Sequence, residues 1–343
     1  MLDNFIEQEF GLFLRKKYSP PIDPTFIPIH LRGGIGDVIA LSDMVSLLAE
    51  RYQVLVYTEH SEALKYFCPK LLVKKKLPDY TWYLEIDNVA RLVKKESFRG
   101  FLIKDHEDLF RNQQAFINQN SQIRYLIDQD RKYFLISKYA KSLGLNKRSF
   151  PLYSLGFPEV PQNFPMAFKP RVSPSNIITI HDGIDGSQII SGRATKQWKW
   201  SHWNELVRLL KAKFPGHKII QLGAKTSREI DGVHECLINK TTITEAFDIL
   251  STSLLHVDGD SGLVHAATRM QIPCVVLWGP TPMEYYGYPQ NLNIKSNLCS
   301  QACYGARDNW NDKCFLGYQT PKCMDEITPA NVMERLNAWN SQT

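Results

Sequence analysis

Apolar positions recur along the chain with two alternating periods. Phe26 to Leu31 (FIPIHL) is an apolar run of strand length. Asp37 to Arg51 follows, with Val38, Leu41, Val45, Leu48 and Ala49 at helical spacing, and Gln53 to Tyr57 is again strand-like. A glycine loop, Gly33-Gly34-Ile35-Gly36, separates the first strand from the helix. Strand, glycine turn, helix, strand is a βαβ unit, which requires parallel pairing. The second half alternates likewise. Ile177 to Ile180, Lys218 to Leu222, Leu254 to Val257 and Cys274 to Leu277 read as strands. Trp203 to Phe214, Ile243 to Leu250 and Gly262 to Met270 read as helices. This pattern predicts an α/β fold of two doubly wound domains facing across a cleft.

Five prolines between Pro158 and Pro174 mark an extended linker, because proline fixes its own backbone and disfavours helix in the residue before it. The expected division is an N-terminal domain over 1–155, a linker over 156–175 and a C-terminal domain over 176–343. Met1 to Tyr18 suits a short amphipathic helix docked on its own domain, and Asp3, Glu7 and Glu9 exclude a secretory signal. With no run of 18 apolar residues, a cytoplasmic protein is expected, at most peripheral to the inner face of a membrane.

The 343 residues are 43% hydrophobic and 22% charged, which excludes a disordered chain or a coiled coil. The net charge of +6 comes from 41 basic against 35 acidic residues. Basic clusters are short, Lys74 to Lys76 and Lys94 to Lys95, and read as solvated faces. No nucleic-acid partner is expected. The mild excess favours an anionic substrate or an anionic membrane surface.

Four stretches carry candidate chemistry. The glycine loop before Asp37 is neither GxGxxG nor a Walker loop. Asp37 is either a helix cap in a tight turn or a carboxylate at the mouth of the cleft, placed as a general base. Asp258-Gly259-Asp260-Ser261-Gly262-Leu263-Val264-His265 joins a strand to a helix. Ser261 can cap that helix, and the amides of Gly262 and Leu263 would offer an anion site, with His265 one turn inside. Arg193 and Lys196 lie in a loop where a cation can hold a diphosphate, although most loop lysines do nothing specific. Cys299, Cys303, Cys314 and Cys323 cluster near the C-terminus. They point to a structural zinc or iron site, with free buried thiols and disulfides as the other readings. Cys68, Cys236 and Cys274 read as core residues, and Trp198 as a packing residue.

Together these stretches resemble glycosyltransferase family 9, the ADP-heptose:lipopolysaccharide heptosyltransferases. The resemblance is carried by RATKQWKWSHWNEL, IIQLGAKTSRE and LLHVDGDSGLVHAATRMQIPCVVLWGPTP, by the cysteine tail, and by LRGGIGDVIALSDMVSLL in the first half. Ser261 stands where the family usually has Thr, and Asp43 where the motif often has a proline-containing helix start. The resemblance implies a GT-B arrangement with an acceptor held by the first domain and a nucleotide-sugar, ADP-heptose, held by the second. It implies inverting transfer to a lipopolysaccharide core, polysaccharide, lipid-linked or protein hydroxyl, without a catalytic metal. It makes Asp37 the base. Lys196, with Ser261 and Gly262, would neutralise the departing diphosphate, assisted by Arg193. Gly36 would line the donor site, and Asp260 and His265 would shape the phosphate turn. Gly223 would line the nucleoside pocket, with Glu229 on the ribose.

Two other classes compete. A catalytically silent nucleotide-sugar-binding subunit would keep the Asp260-to-His265 turn but no working base. A GT-B sugar-nucleotide epimerase needs further carboxylates beside the diphosphate, and no clear set is evident. The missing GxGxxG disfavours an NAD-dependent Rossmann enzyme.

Overall fold

The computed structural model describes residues 25–80, 82–94, 104–128, 133–157, 159–160, 175–183, 193–299 and 303–340. The amphipathic N-terminal stretch and most of the proline-rich linker lie outside them.

The first half forms β1 (Ile27–Leu31), α1 (Ile35–Arg51), β2 (Val54–Tyr57), α2 (Ser61–Phe67), β3 (Leu72–Lys74), β4 (Trp82–Ile86) and β5 (Ala90–Lys94). Helices α3 (Lys104–Gln119), α4 (Ser121–Asp128), α5 (Tyr133–Ser142) and α6 (Phe150–Ser154) follow. The sheet order is β3-β2-β1-β4-β5, with β5 antiparallel to β4.

The second half forms β6 (Ile177–Ile180), α7 (Trp200–Lys213), β7 (Lys218–Gln221), β8 (Glu235–Cys236), α8 (Ile243–Ser251) and β9 (Leu255–Gly259). It continues through α9 (Gly262–Arg269), β10 (Cys274–Trp278), α10 (Met283–Tyr286), β11 (Leu292–Lys295), α11 (Lys322–Asp325) and α12 (Pro329–Asn340). Its strands run parallel in the order β11-β10-β9-β6-β7-β8, the arrangement of a nucleotide-binding sheet. β9 and β10 are buried at every position, as strands covered by helices on both faces must be. The fold is GT-B, with two α/β lobes facing across a cavity.

The expected βαβ units form within a few residues of their sequence bounds. The stretch at Tyr80 to Tyr83 contributes Trp82 and Tyr83 to β4, and Tyr80 is buried against Tyr57. Trp198 packs edge-on to Trp203 at 5.0 Å between ring centroids and donates from Nε1 to Ile327 O at 2.7 Å. Cys68 and Cys274 are core residues, whereas Cys236 is only half-buried on β8, which has no further strand beside it among the described residues. Among the described residues no helix is long and apolar enough to cross a membrane.

One apolar core runs through both lobes, from Ile29, Leu41 and Met44 to Phe247, Val264 and Tyr286. A second covers the far face of the C-terminal sheet. The lobes share a core because α1 and α9 cross at glycines. A Cβ on Gly36 would lie 2.9 Å from His265 Cδ2 and 3.0 Å from Gly262 Cα. A Cβ on Gly262 would lie 2.5 Å from Ile35 Cγ2. Buried Arg269 of α9 pairs with Asp43 of α1, so Asp43 serves the contact between lobes. The Lys147 amide donates to Tyr285 O at 2.9 Å and Arg148 Nη2 to Gly287 O at 3.1 Å, joining the loop before α6 to the second lobe.

Gly36→Ala puts a methyl group against the backbone of Gly262, which cannot rotate away. Chemical denaturation is expected to show a loss of about 1–3 kcal/mol, the usual cost of overpacking. Stability equal to wild type would mean that the lobes separate readily.

Candidate functional site

The glycine turn after β1 and the loops after β6 and β9 converge on a cavity of 610 Å³ between the lobes. Each sheet reverses its strand order here, where open α/β sheets bind ligands. Gly36, Asp37, Lys196, Gly223, Asp260, Ser261, Gly262 and His265 all line it, so most of the residues expected from the sequence meet. Arg193 and Glu229 are not among the lining residues. Arg193 Nη1 pairs with Asp325 at 2.5 Å, and Nε donates to Gln197 O at 3.0 Å, which turns the guanidinium toward the C-terminal helices. Glu229 is exposed on the loop after β7.

Asp37 is the third residue of α1, and its Oδ2 accepts the Gly34 amide at 2.9 Å. It is therefore a helix cap and a cavity carboxylate at once. Gly33 makes room for it. Its φ of +110° suits glycine, and a Cβ there would meet Asp37 at 2.6 Å. Asp37 Oδ1 lies 2.8 Å from Lys147 Nζ, whose side chain is wholly buried. Lys147 Nζ also lies 3.4 Å from Asp87 Oδ1, which accepts the Asn88 side-chain amide at 2.9 Å.

Burial would raise the Asp37 carboxyl. The Lys147 charge and hydrogen bond, with the Gly34 amide, outweigh it and hold the pKa below the ordinary value. Asp87 goes the other way: burial raises it, and Lys147 offsets this only in part. Lys147 itself is raised, because its two carboxylates outweigh burial. Nothing in the sequence marks Lys147, which stands in an ordinary loop, LNKRSF, far along the chain from the glycine turn.

The opposite wall belongs to the second lobe. Ser261 caps α9, its Oγ accepting the Leu263 amide at 3.1 Å. The Leu263 amide expected to face a ligand is thus already engaged. Ser261 donates in turn to Asp258, which is fully buried and also meets His181 Nδ1 at 3.0 Å and His256 Nε2 at 3.1 Å. His181 lines the cavity at the end of β6. Burial would lower it, but Asp258 and Asp182 push it up to about 9, so it carries a charge. His181 was missed in the sequence. The only available signal was its place just after a strand.

Lys196 Nζ pairs with Asp260 Oδ2 at 2.5 Å. His265 Nδ1 lies 2.9 Å from the Tyr288 hydroxyl. Burial pulls His265 down to about 4, past the attraction of Asp260 and Asp37, so its ring is neutral. The cavity therefore sets an ionised carboxylate on one lobe against a helix N-terminus, an imidazolium and a lysine on the other.

Among the described residues no disulfide joins any of the seven cysteines. Burial first, then the nearby thiols of Cys303, Cys299 and Cys314, push Cys323 up to about 12. Burial raises Cys303 too, with Cys299 and Cys314 adding to it. The four late thiols thus share one neighbourhood. Among the described residues no group of three or more His, Cys, Asp or Glu side chains is arranged to hold a metal ion.

Residues 186–314 match the model of glycosyltransferase family 9 (heptosyltransferase). Two lipooligosaccharide heptosyltransferases 2 are similar over parts of the chain. The protein of Campylobacter jejuni is 31% identical over 100 residues, 29% of this chain and 30% of its own length. That of Haemophilus influenzae is 26% identical over 102 residues, 26% of this chain and 29% of its own length. The chain thus spans about 30% of the length of the curated relatives it matches. The iron-containing dodecameric glycosyltransferase TibC of enterotoxigenic E. coli shares the fold, with a TM-score of 0.58 at 15% identity over 92% of this chain and 76% of its own. TibC has also been solved as a heptosyltransferase in complex with ADP-D-beta-D-heptose, with a TM-score of 0.60. Over residues 186–314 the chain is thus similar to glycosyltransferase family 9, and over most of its length it shares the fold of TibC.

The two cavity histidines titrate in opposite directions, and stability should follow both. His265 is lowered to about 4 in the fold, so its contribution is complete above about 6.5, its unfolded value, and is lost as the pH falls toward 4. His181 is raised to about 9, so its contribution is complete below about 6.5 and is lost as the pH rises through 9. Melting temperature against pH should fall on both sides of near-neutral pH. His265→Gln is expected to flatten the acid side alone and His181→Gln the alkaline side alone. Unchanged profiles in both variants would refute these charge states.

Proposed function

We propose that the chain is an inverting glycosyltransferase. It moves a sugar, heptose, from a nucleotide diphosphate donor, ADP-heptose, to a hydroxyl of a lipopolysaccharide core, polysaccharide or protein acceptor. The observation that carries this reading is the pairing across one cavity of ionised Asp37 with the Lys196, His181 and α9 wall. The family 9 match over the second lobe supports a nucleotide-sugar donor, and the ADP-heptose bound by TibC gives its most specific form.

In this scheme the donor diphosphate lies at the N-terminus of α9, where the helix dipole favours an anion. Asp37 takes the proton of the acceptor hydroxyl as that oxygen attacks the anomeric carbon. The bond from that carbon to the diphosphate oxygen breaks on the opposite face, which inverts the centre. The diphosphate leaves with the bonding electrons, and Lys196 and His181 balance its charge. Each Asp37 oxygen already accepts one hydrogen bond and keeps a further lone pair for the incoming proton. Once Asp37 is neutral, Lys147 keeps Asp87 as its partner, so no buried cation is orphaned. Positive charge at the diphosphate comes from side chains, and the reading assigns no catalytic metal.

The four late cysteines are read as a structural zinc or iron site. Four thiols have the donor chemistry for either ion, and binding would bring them into an arrangement that no three of them hold among the described residues. TibC is iron-containing.

Asp37→Ala is expected to lower the transfer rate by about 10²–10⁴-fold with ADP binding retained. Lys196→Ala should weaken ADP binding and the rate together. Transfer at the wild-type rate by Asp37→Ala would overturn the base assignment. For the cysteines, elemental analysis of purified protein should find near-stoichiometric zinc or iron, lost in Cys303→Ser with a lower melting temperature. Folded, metal-free protein indifferent to chelators would overturn the metal reading.

A further inference from the structure

The cysteine-bearing segment does more than close the C-terminal lobe. Tyr304 and Trp310, which lie between Cys303 and Cys314, both line the cavity. Their rings are 4.3 Å apart between centroids, and Tyr304 continues edge-on to Tyr286 at 5.4 Å. Tyr286 also lines the cavity. Lys196 Nζ sits 5.4 Å from the Tyr304 ring centre and 5.7 Å from that of Trp310. The aromatic wall therefore stands at the reaction end, beside the lysine that meets the leaving group. Tyr304 also feels Asp37: after burial, that carboxylate is the strongest influence raising its hydroxyl pKa.

The segment is braced to the machinery it faces. The amides of Cys303 and Tyr304 both donate to Pro280 O, at 2.9 and 3.1 Å. Thr195, the residue before Lys196, donates from its amide to Asn311 O at 3.0 Å and from its hydroxyl to Trp310 O at 2.9 Å. Two hydrogen bonds thus tie the loop that carries Lys196 to the loop that carries Trp310. A second observation points to a ligand here. Thr281, next to Pro280, lines the same cavity and is 1% exposed, yet its hydroxyl has no hydrogen-bond partner among the described residues. A buried hydroxyl without a partner is costly unless a ligand supplies one.

We propose that Tyr304 and Trp310 of the cysteine-bearing segment form the wall on which the transferred sugar packs, with the Thr281 hydroxyl taking one sugar hydroxyl. Pyranose rings expose C–H faces that aromatic rings cover well, while their hydroxyls reach polar groups at the rim. The cysteine-bearing segment would then select the sugar, apart from the loops at Gly223 that hold the nucleoside. The inference rests on the glycosyltransferase reading.

The test compares two ligands that differ only in the sugar. Calorimetry with ADP and with ADP-heptose gives the gain in affinity that the sugar contributes. Trp310→Leu, which keeps apolar bulk but no ring, is expected to weaken ADP-heptose about five- to tenfold and leave ADP unchanged. Thr281→Val, nearly isosteric, should do the same to a smaller degree and guards against a folding defect in the first variant. Trp310→Phe should restore most of the sugar-dependent gain. Equal losses for both ligands, or none for ADP-heptose in either variant, would overturn the inference. Wild-type protein that binds neither ligand would overturn the donor reading itself, and this inference with it.

Discussion

A wholly buried lysine between two carboxylates is the contact around which the first lobe is organised. Lys147 has no exposed surface, so its charge is tolerable only because Asp37 and Asp87 share it. Removing one partner of a buried pair typically costs about 3–5 kcal/mol. Lys147 thereby ties the loop before α6 to the turn after β1 and to the end of β4. The same contact decides the state of the cavity carboxylate. A carboxyl with Asp37's burial and no cation would tend to hold its proton and could not accept another. The arrangement trades basicity for certainty of charge. The second carboxylate matters as much as the first, because it keeps Lys147 paired when Asp37 changes its protonation.

The lobes meet through backbone as well as charge. Gly36 and Gly262 let α1 and α9 begin in mutual contact, and each helix start also lines the cavity. The residues that bring the lobes together are therefore residues that shape the cavity. Arg269 with Asp43, and the Lys147 and Arg148 contacts to Tyr285 and Gly287, extend that seam into a continuous core. Relative movement of the lobes must disturb these contacts, because close-packed interiors transmit displacement rather than absorb it.

Much of this geometry was legible in the sequence where conformation sits in local chemistry. Glycine turns after strands, Asp37 and the Asp260-to-His265 turn are short stretches whose residue types state their conformation. What was not legible depends on distant pairing. Lys147 carries no local signal and His181 only its place just after a strand, since the carboxylates that give each its role, Asp37 and Asp258, lie far along the chain. Arg193 shows the converse. It sits in the expected loop, but Asp325 of α11 claims its guanidinium, and spacing alone cannot say which way a long side chain turns. The four late cysteines drew attention to their segment through their thiols, whereas the aromatic residues between them face the cavity.

The two histidines of the cavity show how one residue type is given two electrostatic roles. His181 lies beside two aspartates, Asp258 and Asp182, and their charge overcomes its burial. His265 is just as enclosed, but its Nδ1 meets the neutral hydroxyl of Tyr288, and Arg148 and Lys147 add repulsion. A proton is therefore held at the end of β6, near the capped start of α9, and excluded where α9 crosses the Asp37 turn. The exclusion matters for Asp37. A charged imidazole beside it would depress that carboxylate further and weaken it as a proton acceptor. Asp258 sustains the distinction from one buried position. It holds the charge on His181 and takes the Ser261 hydroxyl, whose oxygen caps α9. The cation and the helix terminus that would meet an anion thus depend on the same carboxylate.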